Sequence, residues 1–297
     1  MRTPNLILIM AAVVVLGGGA LVAKGLVGGS VTGGTFLTGS ASSPSPTGPS
    51  AEELAAIERK KRETALTAAL KEYAETVPEF SVAVLDRNTG ETYAYRGDEQ
   101  YETASIVKVQ VLACLLLHAQ ADDRELTDSE DSRAKLMIRN SDNDATTSLF
   151  VALGKQSAIQ KCDKKLGLTD TVVNSAWGLT KTTVSDQVKL LNQLVDEDSP
   201  LDEDSRDYAH TLMSTVSEDQ EWGVPAAAKT GEEATVKNGW LQRSTENNLW
   251  IINSVGRITG DDVDVSIAVL SHQNATMPDG ISVVEKAAKM TRTHLKY

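Results

Sequence analysis

The chain has 297 residues and a formal net charge of -12, from 29 Lys and Arg against 41 Asp and Glu. That balance repels nucleic acid, with no basic stripe to override it, and the length suits one large domain or two small ones. Its four histidines (His118, His210, His272, His294) are scattered without ligand spacing, so no metal site and no cofactor is expected.

After Arg2, the run "LILIMAAVVVLGGGALVA" from Leu6 to Ala23 carries no charge and is about long enough to cross a bilayer as a helix. Residues 1–27 are therefore read as a membrane anchor or signal segment that exports the chain. Leu21 stands where a cleavage site wants a small residue, which favours an uncleaved anchor; cleavage would instead make the protein secreted. No cysteine follows the run, which excludes an acylated-cysteine anchor. Residues 28–50, rich in Gly, Ser, Thr and Pro, read as a flexible tether, and the working domain spans 51–297.

Ser50 and Glu53 form a capping box, so the domain opens on a helix from Ala51 to about Val77. "EFSVAVLD" and "ETYAYRG" alternate apolar and polar around a turn at Asn88 to Gly90, predicting a hairpin. An apolar helix follows from Ala104 to about Gln120, and helical segments continue to about Val195. Strand patterns return in "VPAAAKTG", "NLWIINSVGRI" and "VDVSIAVLS", before a last helix from about Gly280 to Leu295. The fold class is thus α+β: a five-stranded antiparallel sheet flanked by the terminal helices, plus an all-helical subdomain. Clefts form where such layers meet. Cys114 and Cys162, the only cysteines, both lie in helix-like surroundings, where a disulfide and two buried thiols fit equally well.

Three strings carry chemistry. Ser105 and Lys108, in "TASIVKVQ", share one face at the head of the apolar helix. A serine hydroxyl needs a base, and a lysine whose pKa is lowered by burial and a neighbouring cation can serve. Spacing alone does not decide, because Ser132 and Lys135 repeat it. "SDN", Ser141 to Asn143, falls on a loop of the helical region: Ser141 can relay a proton and the Asn143 amide can hold a substrate amide. "KTG", Lys229 to Gly231, ends a strand candidate. Lys229 would be the neighbouring cation, Thr230 would help it hold a substrate carboxylate, and Gly231 would keep the strand edge open. The backbone N–H groups of Ser105 and Glu232 would form an oxyanion hole.

S-x-x-K, S-D-N and K-T-G in this order resemble the signature of class A β-lactamases and penicillin-binding proteins. The stretch "FSVAVLDRNTGETYAYRGDEQYETASIVKV" looks like that superfamily's hairpin and first active-site helix, and the resemblance runs from about Ala51 to Tyr297. It implies an exported, monomeric serine hydrolase that forms an acyl-enzyme at Ser105 and acts on β-lactams or D-alanyl-D-alanine-type peptidoglycan peptides. One element of the pattern is missing. Class A enzymes carry a glutamate between the second and third motifs that activates the deacylating water, whereas no glutamate stands between Asn143 and Glu197. "NSAWGLTKTTVSDQ", Asn174 to Gln187, takes that place, and Asp170 and Asp186 nearby read as helix caps. Turnover of a β-lactam is therefore expected to be slow, and the rival is a non-catalytic β-lactam or wall-fragment binder that stays acylated.

Overall fold

The computed structural model describes residues 48–297; the predicted anchor and most of the tether lie outside the described residues. Helix α1 (Ala51–Ala74) begins at the expected capping box, with Ser50 Oγ accepting from Glu53 N and a Glu53 carboxylate oxygen accepting from Ser50 N. The hairpin β1 (Phe80–Asp86) and β2 (Glu91–Tyr95) turns through Gly90, whose φ of 74° glycine adopts without strain.

A two-residue strand β3 (Tyr101–Glu102) leads to a 3-10 turn (Ala104–Ile106) and helix α2 (Val107–Ala121). The helical subdomain continues with α3 (Asp128–Arg139), α4 (Asn143–Ala152) and α5 (Lys155–Leu166). A short strand β4 (Lys181–Thr182) pairs with β3, and α6 (Val184–Gln193) and α7 (Glu203–Met213) follow. The chain then returns through β5 (Glu233–Arg243), β6 (Leu249–Gly260) and β7 (Val263–Asn274) to α8 (Met277–Leu295).

The five long strands form one antiparallel sheet in the order β2-β1-β7-β6-β5, so the first hairpin and the last three strands join at β1 and β7. Strand alternation divides the core in two. Val82 and Val84 of β1 and Val265, Ile267 and Val269 of β7 face α1 and α8, against Leu66, Leu70, Val284 and Ala287. Ala83, Ala268 and Leu270, on the opposite face, pack with α2 and α6 through Val109, Leu112, Val188 and Leu191.

The segment Ala104–Ala121, the 3-10 turn together with α2, is apolar enough to cross a membrane by length and composition, but it is mostly buried inside the protein. Cys114 on α2 is disulfide-bonded to Cys162 on α5, with Cα atoms 5.8 Å apart, which settles the choice left open by the sequence. Beside that bond, Gln110 Nε2 donates to Asp163 Oδ1, and burial raises the Asp163 carboxyl to about 7.

One predicted strand is displaced. "VPAAAKTG" forms a 3-10 turn (Val224–Ala227) and an exposed bend, and the strand begins at Glu233. Pro225 near the start of the 3-10 turn and Gly231, at φ 89°, shape this segment as a turn rather than a strand.

Candidate active site

Ser105 is held on a strained turn. Ala104, immediately before it, has φ 46° and is 3 % exposed, a conformation a non-glycine residue keeps only where its surroundings impose it. Those surroundings are identifiable. Asn253 of β6, fully buried, donates through Nδ2 to Glu102 O at 2.9 Å and Thr103 O at 3.0 Å. Thr103 N in turn donates to Thr180 O at 2.8 Å. Ser105 then lies in the 3-10 turn that feeds α2, and Lys108 follows one turn later. Lys108 Nζ is 2.9 Å from Ser105 Oγ, as the spacing required.

Ser141 stands between α3 and α4 at φ 55°. Asp142 caps α4, accepting from Ala145 N at 2.6 Å, and this cap fixes Asn143 as the first helical residue. Lys108 Nζ therefore meets Ser141 O at 2.7 Å, Ser141 Oγ at 3.0 Å and Asn143 Oδ1 at 2.9 Å. The second S-x-x-K has no such company: Ser132 is exposed and Lys135 pairs with Asp131 at 2.7 Å on the surface of α3.

The third string is different from the one expected. Lys229, Thr230 and Gly231 are exposed on the turn before β5. The N–H of Glu232, expected in an oxyanion hole, donates to Lys229 O at 3.1 Å, and the Glu232 side chain turns to Arg292 and to Lys229 N. The lysine that reaches the site is Lys237 on β5, whose Nζ donates to Ser141 Oγ at 3.0 Å. Gly239, two residues on, faces the turn that carries Ser105. A Cβ there would lie 2.8 Å from the backbone nitrogens of Ser105 and Ile106 and 2.9 Å from Thr103 O. The signal was "VKNGW" inside an alternating run; the perfect K-T-G just upstream hid it.

Both lysines are buried, at 0 % and 1 % exposure for Lys108 and Lys237. Burial pushes Lys108 down to about 7, against the opposing charge of Asp142, and it pushes Lys237 down as well, helped by the charge of Lys108. Two adjacent buried ammonium groups repel, so the hydrogen bonds decide which keeps the proton. Lys237 Nζ has three acceptors, Ser141 Oγ, Asn238 O at 2.9 Å and Gln220 Oε1 at 3.4 Å, which use the three N–H groups of an ammonium. Lys108 faces two obligate acceptors, Ser141 O and Asn143 Oδ1, beside two hydroxyls. A neutral amine fits that set: two N–H groups serve the carbonyl oxygens, and the lone pair accepts from Ser105 Oγ.

Ser105 opens into a 270 Å³ cavity lined by Ala104, Asn143, Ala176, Trp177, Leu179 and Leu241, with Gly178 and Trp240 completing its wall. Trp177 and Leu179 belong to a 3-10 turn (Trp177–Leu179) at the place of the expected glutamate loop. The Trp177 ring centroid is 5.2 Å from Lys108 Nζ, and its Nε1 donates to Thr147 Oγ1 at 3.1 Å. No carboxylate lines this cavity. Asp186 is buried in α6, not a cap, and accepts from Asp170 N, Thr171 Oγ1 and Lys189 Nζ; the cap of that helix is Thr183. Among the described residues no cluster of His, Cys, Asp or Glu could hold a metal.

Comparison with known proteins agrees with this architecture. A solved ancestral class A β-lactamase superposes with a TM-score of 0.67 at 19% identity, covering 77% of this chain and 99% of that one. A β-lactamase from Xanthomonas campestris gives a TM-score of 0.69 at 15% identity, over 79% of this chain and 98% of that one. Among curated proteins, "Putative lipoprotein LppW" of Mycobacterium tuberculosis and of Mycobacterium bovis is 29% identical over 171 residues. The match covers 54% of this chain, which spans about half the length of those relatives. The model of the beta-lactamase enzyme family matches residues 61–134 and 132–295. With that match covering most of the sequence, and with the sheet and helical subdomain of class A β-lactamases around Ser105, the chain belongs to the beta-lactamase enzyme family.

Proposed function

We propose that the protein is an extracytoplasmic serine hydrolase that forms an acyl-enzyme at Ser105. The observation that carries this reading is Lys108 Nζ 2.9 Å from Ser105 Oγ with its pKa lowered to about 7. Lys108 takes the Ser105 proton as Oγ attacks a carbonyl carbon. Ser141, bonded to both lysines, returns that proton to the leaving atom, and Asn143 Nδ2 holds a substrate carbonyl. Lys237 replaces Lys229 as the cation that keeps Lys108 neutral. The N–H groups of Ser105 and Trp240, the residue after Gly239, stabilise the oxyanion.

The substrates suggested by the family are β-lactams and D-alanyl-D-alanine-type wall peptides. The run Leu6–Ala23 supports export with anchoring in the cell membrane, and the relatives' name points to the same side of the membrane. The missing carboxylate near Ser105 supports slow release of the acyl group, because losing a positioned general base costs on the order of 10²- to 10⁴-fold in rate.

A fluorophosphonate probe and a fluorescent penicillin test the reading. Labelling of the full-length chain, abolished in Ser105→Ala, is expected; an unlabelled chain, or equal labelling of the variant, rejects it. With nitrocefin, an acylation burst followed by a weak steady state is expected. Sustained rapid turnover would overturn the slow-release assignment.

A further inference from the structure

The cations and hydroxyls that could hold a substrate carboxylate are absent from the wall of the Ser105 cavity. Lys229 and Thr230, the pair expected to do so, stand on an exposed turn and do not line it. The two lysine amines beside Ser105 are fully committed. Lys108 meets four polar atoms, and Lys237, 1 % exposed, has an acceptor for each N–H. The side chain after Lys237, that of Asn238, lies on the far face of β5, where Nδ2 donates to Gln220 O at 2.8 Å and Trp222 O at 3.0 Å. Arg243, further along the same strand, is paired with Glu102 at 2.8 Å.

What remains is apolar. Trp177, Leu179, Leu241, Ala104 and Ala176 surround Ser105, and Asn143 is the one amide among them. An unpaired carboxylate entering such a space loses hydration without a compensating partner. The net charge of -12 opposes anionic substrates at longer range as well.

We propose that this site selects uncharged acyl donors, esters or neutral amides with an apolar acyl group, and discriminates against donors that carry a carboxylate. The proposal rests on the acyl-enzyme reading and narrows its substrate class. Ser105 Oγ bonds to the acyl carbon as the bond to the alkoxy oxygen breaks. The Ser105 proton passes through Lys108 to the departing oxygen and leaves as the alcohol. Water then adds to the acyl-serine, releasing the carboxylic acid and restoring the hydroxyl. The apolar acyl chain lies against Trp177, Leu179 and Leu241, and Asn143 Nδ2 donates to a neutral carbonyl. Penicillins and nitrocefin, each with a carboxylate, then acylate Ser105 more slowly than a neutral ester does, and the slow release that follows acylation is unaffected.

Two esters of similar length test it on the full-length chain: para-nitrophenyl hexanoate and mono-para-nitrophenyl glutarate, whose acyl chain ends in a carboxylate. Fluorophosphonate labelling of Ser105 is followed in parallel. The expected result is labelling together with kcat/KM about 100-fold higher for the hexanoate, after subtraction of the Ser105→Ala background. Labelling with the two esters within about threefold, or with the glutarate preferred, overturns the selectivity and leaves the acyl-enzyme reading intact. Absence of labelling overturns both. Leu241→Arg, which sets a cation in the wall, is expected to narrow the ratio about tenfold with unchanged circular dichroism. A ratio that stays fixed in the folded variant overturns the assignment of the selectivity to this wall.

Discussion

Two tripeptides that differ in one residue lie eight positions apart and have opposite fates. Lys229-Thr230-Gly231 is exposed on a turn; Lys237-Asn238-Gly239 is buried on β5, with one end bonded to Ser141 and the other against Ser105. The first matches the familiar string letter for letter, and the second does not. What separates them is the chain between: Glu233 onward alternates as a strand, whereas Gly231 at φ 89° lies in a turn closed by Glu232 N donating to Lys229 O. A motif is thus a claim about where a side chain ends up, and burial and bonding decide it.

The largest expected effect separates the two lysines. Lys237→Ala removes the second buried lysine of the site and one of the two lysine contacts to Ser141 Oγ, so the rate of fluorophosphonate acylation should fall about 10²- to 10⁴-fold. Lys229→Ala, at an exposed position, should stay within about twofold of the parent. The reverse order in a stopped-flow labelling assay would restore the K-T-G assignment.

The two glycines divide the same way. A Cβ at Gly239 would sit 2.8 Å from Ser105 N, too close for any alanine without moving the turn that carries the hydroxyl. A displacement of about 1 Å at a reacting group costs on the order of 10²-fold, so Gly239→Ala should acylate about that much more slowly. Gly231→Ala has open space but a left-handed backbone. It should cost about 1 kcal/mol of stability, measured by urea unfolding, while acylation is retained. Equal acylation rates for the two variants would remove Gly239 from the site.

The pH dependence examines the buried side of the comparison. Lys108 acts as a base only when neutral, so kcat/KM for acylation should rise with pH through about 7, where burial places it. The Asp142 charge opposes that depression. Asp142→Asn keeps a cap of equal quality on α4 and should move the rising limb to lower pH. A limb that moves upward, or does not move, would assign it to another group.

How much of this was legible follows the range of the forces involved. The hairpin, the terminal helices and the S-x-x-K and S-D-N positions rest on local signals: period, caps and spacing along one helix. Ser141 reaching Lys108 needed only that the α3–α4 corner return to the head of α2. The position of β5 depended on which of two lysine-bearing segments entered the sheet, a choice made by pairing with β6 and invisible in either segment alone. Asn253, which clamps the strained turn before Ser105, had no sequence signal at all: it is one of four polar residues of β6, with Ser254, Arg257 and Thr259, and its partners lie about 150 positions away. The disulfide likewise needed the approach of α2 to α5.

The smallest effect concerns Glu232, which the sequence placed beside the substrate. In the structure it is the anchor of the exposed turn, paired with Arg292 and accepting from Lys229 N at 2.8 Å. Burial alone would raise its pKa, but the Lys229 N–H and the Arg292 guanidinium outweigh that and hold the carboxyl below its ordinary value. A folded-state pKa lower than the unfolded one adds stability above the unfolded value and loses it as pH falls through the folded one. Glu232→Gln should therefore cost about 1 kcal/mol at pH 7, and the difference from the parent should fade on acidification below about pH 4. Acylation of Ser105 should be unchanged, since neither the side chain nor the N–H of Glu232 reaches the cavity. A variant of undiminished stability whose acylation is slowed would return Glu232 to the site and close the gap between the two tripeptides.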